Sequence, residues 1–438
     1  MDFRGANGGT AELTWGQLRV WRTARETGRT MNLVSVFPLP EGTPLADIVA
    51  ILRSAVSNHP ALRTRLRMVG GQPWQVVAES GEVPLEVVDI GPSDDWAAVA
   101  EDVRARYELT WFDYEHEFPI RLGVVRQCGT LRAMIVGFSH VMVDGAGLAA
   151  LLREMEQPTR PGADLDPLAL AKVQYGPAGR RQTARSLRYW ETQLARLTDW
   201  RNVVPQPGEP RFRELVAYSP AMELGLRAVE ARTETPSTYV LLAAYAAAVA
   251  RVLGRNPAVA QIVASNRFRP GFADAVLQVS QPAICVVDAD GPFDEVVGRA
   301  MTAATTGSFY GYYDPVARDT LLAELAPPDI GWHLNDRRAI LGAASGGPPT
   351  PAVLRDALPR TRLYWGRAQP TFDGSLFVQV DSRPIMTSRE ALDGGRPAVY
   401  LEVWADTHTF APGQVEALVR EMEAVVVAAA FRPATDVG

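Results

Sequence analysis

The sequence predicts two α/β or α+β lobes of similar size joined by a linker, and three observations lead there. At 438 residues the chain exceeds what a single hydrophobic core usually supports, which favours two or three domains or one large fold of two lobes. Strand-like and helix-like patterns alternate along the first half and again along the second. Between the halves, residues 156–176 include PTRPGADLDPLALAKVQYG, rich in proline, glycine and polar residues, and read as the linker. The expected lobes are therefore residues 1–155 and 177–438.

In the first lobe, MNLVSVFPLP (31–40) reads as a strand. Thr43-Pro44 then supplies an N-cap and a first-turn proline for a helix that carries Leu45, Ile48, Val49 and Leu52 on one face. His59-Pro60 stops it. LRTRLRMV and PWQVVAE, split by Gly70-Gly71, read as a hairpin, and Ser93-Asp94-Asp95 opens a helix to about residue 108. A second hairpin follows, IRLGVVRQ turning at Cys128-Gly129-Thr130 into LRAMIVGF.

The second lobe opens with a long helix over about 178–197. STYVLLAAYAAAVARVLG reads as a largely buried helix, and AVAQIVAS and QPAICVVD as strands, with Pro282 near a strand start, where a proline disrupts least. DIGWHLND, TRLYWG, SLFVQV and AVYLEVWAD add strands, and PGQVEALVREMEAVVVAAA is a closing amphipathic helix.

Composition removes several classes of function. A net charge of −6 and a pI near 5.6 leave no positive field for phosphate backbones or anionic lipid, so neither nucleic acid nor membrane is an expected partner. Cys128 and Cys285 are too few for a disulfide framework and too far apart for a zinc site, which fits a reducing cytoplasm. MDFRGANGGTAELTW has no basic start followed by an apolar run, and no segment reaches the about 18 apolar residues of a spanning helix, so neither export nor membrane insertion is expected. Lys172 is the only lysine, so a lysine nucleophile or Schiff base has nowhere else to reside. No phosphate-binding loop, dinucleotide fingerprint or metal-ligand cluster occurs, and no permanently bound cofactor or metal is expected.

The chemistry-bearing stretch is FSHVMVDGAG (138–147). His140 closes a strand that should be buried on both faces, so its ring is expected to be partly desolvated, and burial favours the neutral imidazole that can accept a proton. Asp144, four positions on, either orients that ring or stabilises the loop by pairing with a cation; spacing alone fits both. Gly145 and Gly147 take side chains away from a backbone turn, so that substrate can approach and N–H groups can face developing negative charge. A tight turn alone explains Gly147 equally well. Of the other histidines, His59 and His116 suit turn or surface roles, and His333 and His408 suit strand or loop positions.

This stretch resembles the HHxxxDG motif of the condensation domains of nonribosomal peptide synthetases, within the wider HxxxD acyltransferase superfamily that includes chloramphenicol acetyltransferase. Further blocks resemble the family's in order: LTWGQLRVWR (13–22) its opening LSxAQxRLW, NHPALRTRL (58–66) its RHEALRTRF, and LTWFDYEHEFPIRLGVV (109–125) its FDL…PLLR. SLRYWETQL (186–194) is similar to its YW…L helix and IVASNRFRP (262–270) to its ANR…P. The blocks span nearly the whole chain.

The resemblance implies two chloramphenicol acetyltransferase-like lobes in a V-shaped pseudo-dimer, with a tunnel between them. It makes His140 the catalytic histidine and Asp144 a structural aspartate paired with an arginine of the second lobe, to which Arg267 corresponds. Arg63 corresponds to another family arginine, structural in role. Two departures stand out: Ser139 occupies the first histidine position, and Gln281 stands near a family asparagine. The implied activity is transfer of an acyl group from the phosphopantetheine thioester of an acyl or peptidyl carrier protein to a small amine or alcohol, in natural-product biosynthesis. Because the chain ends soon after its closing helix, it is expected to be freestanding and to act in trans. A coenzyme A-dependent acyltransferase of the same superfamily and a non-catalytic condensation-like module that recruits a partner enzyme are the two alternatives.

Overall fold

The computed structural model describes residues 1–156, 165–197, 200, 208–338, 347–382 and 397–430. The chain divides into two compact units: Met1–Thr183 with Ser265–Gln281 and Tyr313–Val316, and Ala184–Ala264 with Pro282–Tyr312 and Ala317–Gly438. The split differs from one cut at a linker, because Ser265–Gln281, expected in the second lobe, packs with the first unit.

The first unit starts with β1 (Asp2–Arg4), β2 (Gly9–Glu12) and α1 (Trp15–Thr27). A capping box opens α1: the Thr14 side chain accepts from the Gln17 N–H while the Gln17 side chain accepts from the Thr14 N–H at 2.8 Å. Gly28, at φ 68°, ends it in the left-handed conformation that costs glycine least. Next come β3 (Leu33–Pro38), α2 (Leu45–Asn58), β4 (Thr64–Val69), β5 (Gln72–Val77), β6 (Ser80–Glu82), β7 (Leu85–Ile90) and α3 (Trp96–Leu109). Thr43 stands outside α2, and Pro44 takes the N-cap position, one residue later than the sequence indicates. The hairpin β8 (Ile120–Gln127) and β9 (Thr130–Phe138) leads into α4 (Gly145–Glu156), then α5 (Pro167–Tyr175) and the start of α6 (Pro177–Leu194), which from Ala184 on belongs to the second unit. Of the expected linker, residues 157–164 lie outside the described residues. The rest is not irregular: Asp166 accepts from the Leu168 N–H and Pro167 sets the first turn of α5.

The sheet that positions the site has the order β3-β9-β8-β7, with β7 and β8 parallel and the other pairs antiparallel. In the central strand β9, alternate residues face opposite layers. Ala133 and Ile135 join Val125 in a cluster with Ala100, Val103 and Tyr107 of α3. Val136 and Phe138 face the other way, toward Leu52 of α2 and Leu151 of α4. Both faces of β9 are thus covered by helices, which is why LRAMIVGF is nearly all apolar.

The second unit carries a seven-stranded sheet. Its strands are β10 (Phe212–Ser219), β11 (Ala258–Ala264), β12 (Gln281–Val287), β13 (Trp332–Asp336), β14 (Arg362–Gln369), β15 (Leu376–Asp381) and β16 (Val399–Asp406), in the order β12-β11-β13-β15-β16-β10-β14. Its helices include α7 (Pro220–Thr233), α8 (Ser237–Leu253), α9 (Phe293–Tyr310), α10 (Pro315–Leu325) and the closing helix Pro412–Ala430. α8 is buried at every residue from Val240 to Val249 and packs against α7, α9 and the closing helix, so its apolar character runs all round. His333 lies in β13, stacked on Phe377. Cys128 is exposed, Cys285 is buried, and both are unpaired. Among the described residues no single helix is long and apolar enough to cross a membrane.

Candidate active site

His140 sits two residues beyond the last residue of β9, where the chain leaves the sheet. Its ring is half-buried, and Nδ1 lies 2.9 Å from the Val143 carbonyl. A carbonyl oxygen can only accept, so this contact assigns the hydrogen to Nδ1 and leaves the lone pair of the neutral ring on Nε2. The turn is built on Ser139: its N–H donates to Pro119 O at 3.0 Å, and its carbonyl accepts from Met142 and Val143 at 3.0 and 3.3 Å. Its hydroxyl is fully buried, 2.7 Å from the Tyr114 hydroxyl, and accepts from the Val141 N–H at 3.2 Å. Burial pushes the Tyr114 phenol up to about 12, although the Ser139 hydrogen bond pulls it down in part.

Asp144 is 2% exposed and has several partners. Oδ1 accepts from the Gly147 N–H at 2.7 Å and from the Arg267 guanidinium; Oδ2 accepts from the N–H groups of Val279 and Ser280 at 3.1 and 3.0 Å. The carboxylate is thus the N-cap of α4 and one half of an ion pair. These contacts favour the loop-stabilising reading of Asp144, because the Nδ1 hydrogen of His140 is directed at Val143 instead. Arg267 also donates to the carbonyls of Phe272 and Leu277 at 3.0 and 3.2 Å, and to that of Ala275. It belongs to the same compact unit as Asp144, which corrects its expected place in the second lobe. The physical reason is this bonding: the 265–281 segment is wrapped around one guanidinium that is held by Asp144.

Gly145 does not sit in an open turn. It is the first residue of α4, where helix geometry leaves the first N–H groups without intrahelical partners and the aligned peptide dipoles are positive. Gly147 is in the helix as well, and a Cβ there would stand 3.2 Å from Ala275 O and Leu277 N, so the residue's smallness serves a close approach. Arg63 is 2% exposed and donates to the carbonyls of Ala78 and Ala6, contacts that suit a structural role. Gln281 is buried, donating to Tyr313 O at 2.8 Å and accepting from Tyr313 N at 3.3 Å. His116 is an exposed loop residue beside Asp113, but His59 is buried at the end of α2, with Nε2 3.0 Å from Glu154 of α4. His59 does occupy the turn that ends α2, but the surface reading is corrected: the Glu154 side chain of α4 meets its ring, a contact that residues 95 positions apart do not reveal.

Three participants escaped the sequence. Tyr114 holds Ser139. Gln278 donates its N–H to Met142 O at 2.8 Å, joining the 265–281 segment to the turn. Asn266 is fully buried at φ 57°, donating to Val279 O at 2.9 Å and accepting from Arg269. Glycine apart, asparagine tolerates that conformation best, and its place in the SNR of the IVASNRFRP block was the other signal available. Among the described residues no group of three or more His, Cys, Asp or Glu side chains is arranged to hold a metal.

Among curated proteins the chain is similar to the nonribosomal peptide synthetase kk1B of Curvularia clavata, 26% identical over 281 residues, which is 60% of this chain and 2% of that synthetase. The first three curated relatives are much longer; the chain spans 2%, 5% and 31% of them. Among solved structures it is similar to a condensation domain described as mediating chain release from the enacyloxin polyketide synthase: TM-score 0.69, 18% identity, 98% of this chain and 84% of that one. It is also similar to the X-domain of teicoplanin biosynthesis solved in complex with OxyB: TM-score 0.66, 18% identity, 98% of this chain and 95% of that one. These likenesses establish the two-lobed α/β condensation-domain fold. The condensation-domain model matches residues 8–300, and on that match this chain belongs to the condensation-domain family.

Proposed function

We propose that this chain is a condensation-type acyltransferase, freestanding in action, that moves an acyl group from a carrier-protein thioester to an amine or alcohol and forms an amide or ester. The observation that supports this most is the Nδ1 contact of His140, which directs the basic Nε2 away from the turn. In this reading Nε2 accepts the proton of the attacking N–H or O–H as the acceptor adds to the thioester carbonyl. The oxyanion that forms is met by the N–H of Gly145 at the positive end of α4. Collapse of the tetrahedral intermediate breaks the C–S bond, and the imidazolium returns its proton to the departing phosphopantetheine thiolate. Ser139 takes no part in bond-making here, because its hydroxyl is enclosed between Tyr114 and Val141. Asp144 and Arg267 act structurally, fixing the start of α4.

The test is intact-mass analysis of acyl-loaded carrier proteins incubated with the chain and a panel of amines and alcohols. The expected result is loss of the acyl group from the carrier with matching product that depends on His140. The same acyl groups offered on coenzyme A separate the reading from the coenzyme A-dependent alternative.

A second reading, a non-catalytic recruiting module, is favoured by the likeness to the X-domain, which is described in complex with OxyB. His140 and its directed Nε2 count against it. A chain that leaves every loaded carrier intact, yet co-elutes with an oxidase, would support this second reading.

A further inference from the structure

The contact between Tyr114 and Ser139 takes no part in the bond-making steps above, yet the turn that carries His140 is closed on it. The Ser139 backbone ties Pro119, Met142 and Val143, and its hydroxyl ties the Val141 N–H. His140 lies inside that set of bonds, with Nδ1 on the Val143 carbonyl. Rotation of the Ser139 side chain would release Val141 and loosen the turn between residues 139 and 143. Tyr114 holds the rotamer. Its hydroxyl is 2.7 Å from Ser139 Oγ, its carbonyl accepts from the Leu66 N–H of β4 at 2.7 Å, and its ring packs edge-on against Trp21 with centroids 5.4 Å apart. A phenol fixed at both ends is a rigid stop for a short hydroxyl.

Each of the two partners also stands at a departure from the family pattern that its sequence block resembles. FDY (112–114) stands against FDL, and Ser139 against the first histidine of HHxxxDG. One segment loses a polar ring where the other gains one, and the departures meet in a single buried hydrogen bond. We propose that Tyr114 is a positioning residue for His140, acting through Ser139, and that its ring takes the place of the one absent from position 139. Only the kinetic part of the test rests on the acyltransferase reading.

Nitrogen-15 labelling of the five histidine rings, with His140 assigned from His140→Ala, reads the tautomer of that ring directly. The parent is expected to hold the hydrogen on Nδ1, and Tyr114→Phe and Ser139→Ala each to give a mixture of tautomers. In the same variants kcat is expected to fall about 10- to 100-fold, with KM for the acyl donor unchanged, as a misaligned base requires. The double variant is expected to lose no more than the worse single one, because both break one contact. Ser139→His is expected to lower the melting temperature, and Ser139→His with Tyr114→Leu to recover it. Ring signals and kcat that stay at parent values in Tyr114→Phe, even with a lower melting temperature, would make Tyr114 a core filler and overturn its positioning role. Failure of the swap to recover stability would overturn the replacement. If the parent shows no acyl transfer, the proposed function fails, and the ring signals still decide the role of Tyr114.

Discussion

Removing the Asp144 carboxylate has a consequence that can be worked out bond by bond. Asp144→Ala deprives the Gly147, Val279 and Ser280 N–H groups and the Arg267 guanidinium of their shared acceptor. Breaking a buried ion pair from one side costs about 3–5 kcal/mol, because the surviving charge is left uncompensated. The lost helix cap alone is worth about 1 kcal/mol, but it shares the same oxygen and does not simply add. Against a total stability of about 5–15 kcal/mol, this is a large fraction. For a unit of this size the melting temperature is expected to fall by about 6–20 °C, read by calorimetry or by fluorescence on heating. Arg267→Ala is expected to fall in the same range, since it strands Asp144 and frees the carbonyls of Phe272, Ala275 and Leu277. The double variant is expected to lose less than the sum. Asp144→Asn should lie between parent and Asp144→Ala: one oxygen still serves Gly147 and Arg267, while the amide presents donors to the donors of Val279 and Ser280. Single variants that melt with the parent would refute the ion pair and the cap together.

His140→Ala is expected to lower turnover by about 10²- to 10⁴-fold with the melting curve unchanged, and a parent-like rate in the mass assay would remove His140 as the base. Gly16→Ala puts a Cβ 2.5 Å from the Gln278 carbonyl oxygen, a backbone atom that cannot swing away, and is expected to destabilise by about 1–3 kcal/mol in chemical denaturation. Glu223 is pushed above the usual carboxylate range, mainly by burial, with Arg338 pulling it back in part. The folded state therefore holds that proton to higher pH than the unfolded chain, so the stabilisation is complete at low pH and is lost as pH rises through the folded value. Glu223→Gln removes this dependence, and its advantage over the parent in melts at pH 5 and pH 8 should grow with pH; parallel slopes would count against it.

Periodicity carried much of the fold, and where it failed the reasons are physical. β9 and α8 were legible because burial on every side leaves an unbroken apolar run. α4 was read as a turn because GAG looks like a break, yet glycine is tolerated in the first helical turn when the preceding residue caps it, as Asp144 does. α7 is announced by Ser219-Pro220, an N-cap followed by a first-turn proline, a signal that went unread because the helix behind it has no clean apolar stripe. α9, with its run of Thr and Ala, escaped for the same lack of contrast. At the site, the motif and the resemblance brought His140, Asp144 and Arg267 forward. Tyr114 and Gln278 stayed out of view because their contacts join residues 25 and 136 positions apart, and no local pattern encodes such pairings.

The 265–281 segment also bears on how the molecule is made. The turn around His140 is complete in the growing chain well before residue 265, but Asp144 then has neither Arg267 nor the Val279 and Ser280 N–H groups to satisfy it. Translation proceeds at about 5–20 residues per second, so the nascent first unit waits some seconds with a site that is unfinished. Its last tie arrives from chain synthesised after more than a hundred intervening residues. A fragment that stops before Ser265 is thus not a smaller version of this unit but an interrupted one, with its central carboxylate still open to water.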